Sequence, residues 1–127
     1  MNEHVLRPAA DWELRAMVEE LVEKKIPVEL IGNGTKRSIG RPINTAATLS
    51  LSSLRGITLY EPTELVMTAA AGTALSQVET ELASRGQILA FEPIDLAPAI
   101  GGQQGQQTIG SVFATNLSGA DRKSTRL

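Results

Sequence analysis

Residues 27–37, with the sequence PVELIGNGTKR, decide the fold of this 127-residue chain. The segment Val28–Ile31 is rich in apolar residues and predicts a short buried strand. Pro27 ends any helix that comes before that strand. The strand runs directly into a loop with glycines at positions 32, 34 and 40. Because glycine lets backbone N–H groups approach an oxyanion closely, this loop is a candidate anion site.

A helix is predicted on the N-terminal side of that strand, over residues 12–25. Its apolar residues fall at positions 14, 17, 18, 21 and 22, which is the spacing of one helical face. Asp11 is the expected N-cap, and Lys24 and Lys25 suit the negative C-terminal end of the helix dipole. His4 lies close to the N-terminus and is expected to be frayed.

Three more strands and a second helix are predicted on the C-terminal side. The strands cover residues 48–51, 56–60 and 65–70, and the last two are expected to form an antiparallel hairpin. A helix is expected from position 74 to position 85, with Ser76 and Glu79 as a capping box and Gly86 as its stop. A final helical turn is expected near position 112, ending at position 116. The order β-α-β-β-β-α predicts an α+β (α/β-like) domain, in which a small mixed sheet has flanking helices.

Composition excludes several classes of function. Apolar residues make up 42% of the chain and charged residues 20%, which suits one folded domain. The net charge of −2 gives no general attraction to nucleic acid or to an anionic membrane. With no cysteine and one histidine, thiolate chemistry is excluded and His-based triads or metal sites are disfavoured. No signal peptide or membrane-spanning segment is apparent, so a cytoplasmic location is expected, with membrane association only through partner subunits.

Two glycine-rich loops carry the candidate binding residues, and each has an alternative interpretation. The loop after the predicted strand adds two hydroxyls and two cations at positions 35–38, but it is also consistent with a surface turn. It does not fit the G-x-G-x-x-G pattern, because Arg37 stands at the third glycine. The stretch 108–119 has small residues around Val112 and Phe113. It suits either a backbone lying against a planar ligand or a closely packed helix, and its spacing favours the helix.

Four segments, taken in order, resemble the vanillyl-alcohol-oxidase, or PCMH, type of FAD-binding domain. They are residues 27–37, residues 71–73 (AGT), residues 86–93 (GQILAFEP) and residues 108–119 (TIGSVFATNLSG). The run LAFEPID at 89–95 is especially similar to the glycolate oxidase FAD-binding subunits of that family. The resemblance covers about residues 8–119 and implies the N-terminal part of such a domain.

The resemblance also implies which residues bind FAD. The first loop would hold the pyrophosphate through backbone N–H groups, and the strand end at 71–72 would lie close to the flavin. Pro93 would shape the loop after the second helix, and the last segment would line the adenine, ribose and pyrophosphate. Some members attach flavin through histidine or cysteine, and because this loop has neither, FAD is expected to be non-covalent. No catalytic residue and no metal ligand is implied. The implied cofactor-binding residues are Gly32, Asn33, Gly34, Thr35, Lys36, Arg37, Ala71, Gly72, Pro93, Thr108, Ile109, Gly110, Ser111, Ala114, Thr115 and Gly119.

The function implied is that of a flavin-dependent 2-hydroxyacid oxidoreductase of the glycolate type, with hydride transfer from substrate to FAD. A small 2-hydroxyacid is the implied substrate, and other oxidase subunits, including an iron–sulfur partner, are the implied partners. One alternative is a related oxidoreductase with another substrate, such as a nucleotide sugar or a sugar lactone. The other alternative is a non-catalytic module that binds phosphate or a partner subunit.

The C-terminal residues depart from the pattern of that family. The family continues after Ser-Gly with proline, basic residues, further strands and a substrate-cap domain, whereas Ala120 follows Gly119 here. Residues 121–127 (DRKSTRL) match a translation of a common sequencing-adapter sequence. We therefore expect residues 1–120 to be a partial PCMH-type FAD-binding domain and residues 121–127 to be an artefact. Because the catalytic residues would belong to the cap, the chain alone is expected to be inactive.

Overall fold

The computed structural model describes residues 4–116, in which the strands are divided between two small sheets. The predicted α+β class is confirmed. The elements, in order, are β1 (His4–Leu6), α1 (Asp11–Glu23), β2 (Val28–Ile31), β3 (Ala47–Ser50), β4 (Ile57–Glu61), β5 (Val66–Ala69), α2 (Leu75–Ser84), a 3-10 helix (Ala97–Ile100) and α3 (Ile109–Thr115).

The N-terminal elements form a parallel sheet with the strand order β1-β3-β2. His4 of β1 and Val28 of β2 both lie opposite Ala47 of the central strand β3. All four residues of β3 are buried. Parallel strands need a crossover connection, which α1 provides between β1 and β2. The chain leaves the C-terminal ends of β2 and β3 at the same edge, which positions the loops that follow these two strands close together.

Strands β4 and β5 form the predicted antiparallel hairpin, which packs on α2 and α3. Tyr60 and Met67 of the hairpin are partly buried against the apolar faces of the two helices. Ile109 N–H donates to the Thr73 carbonyl at 2.8 Å, so α3 starts directly beside the segment that precedes α2. The buried core of this part comes from both helices: Leu75, Val78, Leu82, Ile109 and Val112.

The start of α1 differs from the prediction. Ala10 is the N-cap, and Asp11 is the first helical residue rather than the cap. The Ala9 N–H is satisfied instead by the Glu13 carboxylate, at 2.8 Å. The helix ends at Glu23, two residues before the predicted end.

The predicted capping box of α2 is wrong. Ala74 is the N-cap and makes no side-chain hydrogen bond, and Ser76 lies inside the helix. The Leu75 N–H donates to the Gln107 carbonyl at 3.0 Å, so a tertiary contact satisfies one of the N–H groups at the start of α2 that have no acceptor within the helix.

Two shorter elements also differ from the prediction. His4 is paired in β1 rather than frayed. The helical turn expected to end at position 116 is a helix, α3, that begins three residues earlier than expected. Thr108 starts that helix, because its side-chain oxygen accepts a hydrogen bond from the Ser111 N–H.

Candidate functional site

The loop after β2 faces α3 across a cavity of about 260 Å³, which we call the loop cleft. One wall of the loop cleft is the loop that follows β2 of the parallel sheet. The other wall includes α3, which packs with α2 and the hairpin. Most residues that line the loop cleft are ones that the sequence predicted to bind the cofactor. These are Gly32, Gly34, Thr35, Lys36, Arg37, Ala71, Thr108, Gly110, Ser111, Ala114 and Thr115.

The Lys36 side chain crosses the loop cleft and is half-buried. Its Nζ donates to Gln107 Oε1 at 3.0 Å and to Ser111 Oγ at 3.1 Å. Both acceptors are neutral. Desolvation by burial lowers the pKa of Lys36 below its ordinary value, and the negative charge of Asp95 opposes that shift in part. An anion bound in the cleft would therefore stabilise this ammonium.

The second cation of the loop, Arg37, is engaged differently. Its Nη2 lies 2.7 Å from Glu29 Oε2, and its Nε donates to Glu29 Oε1 at 3.2 Å. This two-point contact with a carboxylate on β2 compensates the charge of Arg37. Of the two neighbouring cations, Lys36 is thus the one whose charge is not compensated by a hydrogen-bonded carboxylate.

Hydrogen bonds hold the segment that precedes α3 in place beside the loop after β2. Asp95 accepts from the Ala97 N–H at 3.0 Å and from the Gly105 N–H at 2.8 Å, so it links the start of the 3-10 helix to the chain five residues beyond its end. The Asn33 amide then donates to the Gln106 carbonyl at 2.8 Å. This hydrogen bond links the loop after β2 directly to the segment that precedes α3.

The loop itself presents several backbone donors. Within residues 4–116, the backbone N–H groups of residues 33–36 donate to no protein acceptor. Gly34 has φ of 74°, a conformation that residues with a Cβ rarely adopt. Successive amides in a turn of this kind can converge on one anion. The N–H groups of residues 33–36 are therefore available to an anion.

Helix α3 packs closely on its neighbours, as the spacing of its small residues indicated. The Gly110 N–H donates to the Ala71 carbonyl at 2.9 Å, and a Cβ at Gly110 would lie 2.7 Å from that oxygen. A Cβ at Gly32 would lie 2.5 Å from Thr108 Oγ1. Glycines at these positions allow the close approach. Ser111, Ala114 and Thr115 of the same helix line the loop cleft.

Other residues of the predicted site lie elsewhere. Ile109 is buried in the core between α2 and α3. Gly72 is buried, and a Cβ there would lie 2.0 Å from the Leu51 carbonyl oxygen, so backbone packing accounts for that glycine. Pro93 is half-buried and does not line the loop cleft. Gly119 falls outside the described residues.

Sequence reasoning missed five residues of the site. Four of them line the loop cleft, namely Glu29, Leu30, Ile31 and Leu51, and the fifth, Gln107, holds the Lys36 ammonium. Gln107 is one of four glutamines in a glycine-rich segment, GGQQGQQ, and nothing in that pattern distinguishes it from the others. Its burial, with an exposed fraction of 3%, follows only from the tertiary contacts.

A second cavity, of about 810 Å³, lies between the hairpin, α2 and α3. Its walls are mainly apolar, and Phe91 and Phe113 meet there edge to face with ring centroids 6.3 Å apart. Ala71 and Gly110 line both cavities, which therefore adjoin. Phe113 and Ile88 are 71% and 89% exposed, so this wall presents an apolar surface to solvent.

Comparison with known proteins identifies the family. A family model described as an FAD binding domain matches residues 3–125. The chain belongs to this FAD-binding domain family. A relative, the glycolate oxidase subunit GlcE of Escherichia coli (strain K12), is 38% identical over 109 residues, which is 86% of this chain. The chain spans 29% of the length of that relative. The resemblance inferred from four short segments is confirmed.

The residues of the loop cleft fit the phosphates of FAD. Gln107 Nε2 is buried and has no hydrogen-bond acceptor within residues 4–116, so a donor stands ready beside the Lys36 ammonium. The amides of residues 33–36 add further donors. The cavity is smaller than the usual pocket for a whole drug-sized ligand, which suits the phosphate portion of a dinucleotide rather than all of it.

Two other kinds of feature do not occur in the described part of the chain. No cluster of three or more histidine, cysteine, aspartate or glutamate side chains is placed to hold a metal ion there. Nor is any helix among residues 4–116 both long and apolar enough to cross a bilayer.

Proposed function

We propose that this chain is the FAD-binding portion of a flavin-dependent 2-hydroxyacid oxidoreductase subunit of the glycolate type. The observation that carries the proposal is the Lys36 ammonium, held between neutral acceptors in a cleft that also presents a run of backbone amides. Membership in the FAD-binding family and the 38% identity to a glycolate oxidase subunit support the choice of cofactor and substrate class. Bound FAD supplies the acceptor for a hydride from the hydroxyl-bearing carbon of the substrate.

Each part of the loop cleft has a role in this proposal. The amides of residues 33–36 donate to pyrophosphate oxygens, and the Lys36 ammonium compensates their negative charge. Arg37, held by Glu29, fixes the shape of the loop from the β2 side. Ser111 and Thr115 place hydroxyls on the opposite wall.

We propose that FAD is held without a covalent bond. The chain has no cysteine, and its one histidine is His4. His4 pairs with Ala47 at the N-terminal end of β3, whereas the loop cleft follows the C-terminal end of β2. Because the strands are parallel, these are opposite edges of the sheet. Denaturation with acid should release all flavin from the protein.

The proposal extends to the partners implied by the resemblance. The relative is named as a subunit of glycolate oxidase, which supports assembly with other subunits. We propose that these include an iron–sulfur partner, that the protein is cytoplasmic, and that any association with a membrane occurs through its partners. The exposed apolar wall of the second cavity supplies surface for such contacts.

Substitution of Lys36 tests the role of the loop cleft. We expect Lys36→Met to weaken FAD binding about tenfold or more, because a charge-assisted contact with phosphate is lost. Lys25→Met is the matched control, since Lys25 is exposed at the end of α1. Affinity is measured by titration of the full chain with FAD. Equal affinities in the wild type and Lys36→Met would contradict the proposal.

The wild-type protein should show a pH dependence of FAD binding that the same variant lacks. Burial lowers the pKa of Lys36 in the free protein, and a bound phosphate would raise it again. Binding then takes up a proton at high pH, so FAD affinity should fall as pH rises through the lowered pKa. The Lys36→Met variant should lack that component of the pH profile. A profile shared by the two proteins would remove Lys36 from the phosphate site.

The proposal also predicts that the 127-residue chain alone does not oxidise glycolate. We expect no glycolate-dependent dye reduction above that of free FAD, because no group within the described cleft would hold a substrate carbon near the flavin. The relative has more than two thirds of its length outside the matched region, which has room for the substrate-binding residues. Stoichiometric FAD binding with turnover by this chain would overturn this assignment.

A further inference from the structure

The contact between Lys36 and Gln107 brings together residues 71 positions apart in the sequence. Gln107 is 3% exposed, and its backbone carbonyl accepts from the Leu75 N–H at 3.0 Å. The next residue, Thr108, forms a β-bridge with Ala74. The backbone of Gln107 is thus fixed from both sides, and only its side chain is available to Lys36.

The chemistry of this contact is specific. An ammonium has three donors and no acceptor, so the Gln107 oxygen, rather than its nitrogen, must face Lys36. A buried position beside a lysine would suit a carboxylate, which would form an ion pair and compensate the charge. Arg37 has that arrangement with Glu29. At Lys36 the chain instead places a glutamine and a serine, which orient the ammonium without a hydrogen-bonded carboxylate. The negative charge of Asp95 acts on it without a hydrogen bond.

We propose that Gln107 is a positioning residue that holds the Lys36 ammonium at the loop cleft without neutralising it, so that the charge is kept for a phosphate of the bound dinucleotide. The proposal rests on the proposed function of the cleft as a phosphate site. Gln107 acts through Lys36, and its side-chain nitrogen, which has no acceptor within residues 4–116, is free to donate to the same ligand.

Two substitutions of nearly the same size separate orientation from charge. Gln107→Met removes the acceptor, and we expect about fivefold weaker binding of FAD and of ADP, which shares the diphosphate. Gln107→Glu supplies a carboxylate that pairs with Lys36 and repels phosphate, so we expect a loss of tenfold or more. Gln104→Met, at an exposed glutamine of the same segment, should bind as the wild type does. Titrations of the 127-residue chain, followed by NMR, measure all three.

A double-mutant cycle distinguishes positioning from a merely structural role. In a Lys36→Met background, Gln107→Met should weaken FAD binding less than it does in the wild-type background, because the ammonium that Gln107 positions is gone and only the direct contact of its Nε2 with the ligand is lost. An equal loss in both backgrounds, with wild-type unfolding midpoints, would show that Gln107 acts independently of Lys36 and would overturn the proposal.

The remaining outcomes separate this inference from the proposed function. If the wild type binds FAD and both Gln107 variants bind it equally well, Gln107 has no positioning role, and the proposed function is unaffected. If the wild type binds neither FAD nor ADP, the loop cleft is not a phosphate site, and the role of Gln107 fails with it.

Discussion

Replacing Gly72 with alanine should destabilise the domain by about 3 kcal/mol or more, the upper end of the range for overpacked positions. A Cβ at this position would lie 2.0 Å from the Leu51 carbonyl oxygen and 2.6 Å from that of Leu54. Neither oxygen is free to move. The Leu51 carbonyl accepts from the Leu54 N–H at 3.0 Å, and the Leu51 N–H is bound to the Ile31 carbonyl at 2.8 Å. If the Leu51 backbone moved to relieve the clash, its hydrogen bond to Ile31 at the end of β2, beside the loop cleft, would be distorted.

The matched control for Gly72→Ala is Gly86→Ala. Gly86 has φ of 67°, and a Cβ there would meet nothing within 4 Å. That substitution therefore adds only the left-handed backbone cost of about 1–2 kcal/mol. Urea denaturation of both variants, followed by circular dichroism, measures the two costs. If Gly72→Ala unfolds at the same urea concentration as Gly86→Ala, the close packing of residues 51–54 on Gly72 is not the source of stability.

Local sequence predicted some parts of the fold and not others. The strand at 28–31, the hairpin and the two longer helices follow from the spacing of apolar residues, and each was predicted to within a few residues. The stop of α2 at Gly86 was also predicted, but the N-caps were not, because the Gln107 carbonyl binds the first N–H of α2 and Ser76 lies inside the helix. A contact between residues so far apart in sequence leaves no local signal. The same reason explains why β1 was missed, since a three-residue strand exists only through its pairing with β3.

The candidate site also has a part that the sequence predicted and a part that it did not. Glycines and cations after a strand were consistent with an anion-binding loop or a surface turn. The resemblance to FAD-binding domains supplied both the pyrophosphate role and the opposite wall. Sequence treated Lys36 and Arg37 as equivalent, whereas the structure pairs Arg37 with Glu29 and leaves Lys36 against neutral acceptors. That distinction depends on side-chain positions across the fold, and it is what gives the two cations different expected roles.

The loop itself provides the sharpest test of the cofactor site, through Gly34→Val. Gly34 has φ of 74°, and valine is among the residues least able to adopt that conformation. Its Cβ would also lie 3.2 Å from Arg37 Cδ, so the loop would have to change shape beside the four amides of residues 33–36, which have no acceptor within residues 4–116. We expect FAD binding to fall by at least a hundredfold, since several donors are displaced at once.

A strained glycine of the same loop separates this effect from strain alone. Gly40 has φ of 83°, does not line the loop cleft, and a Cβ there would meet nothing within 4 Å. Gly40→Val should therefore lower the free energy of unfolding by about as much as Gly34→Val, roughly 1–2 kcal/mol, but leave FAD affinity within about twofold of the wild type. FAD titration and urea denaturation of both variants give the comparison. Unchanged flavin binding in Gly34→Val, or an equal loss in Gly40→Val, would show that the conformation at Gly34 does not form the phosphate site. The two glycines carry the same backbone cost, so any difference in flavin binding between the variants measures what the loop cleft contributes.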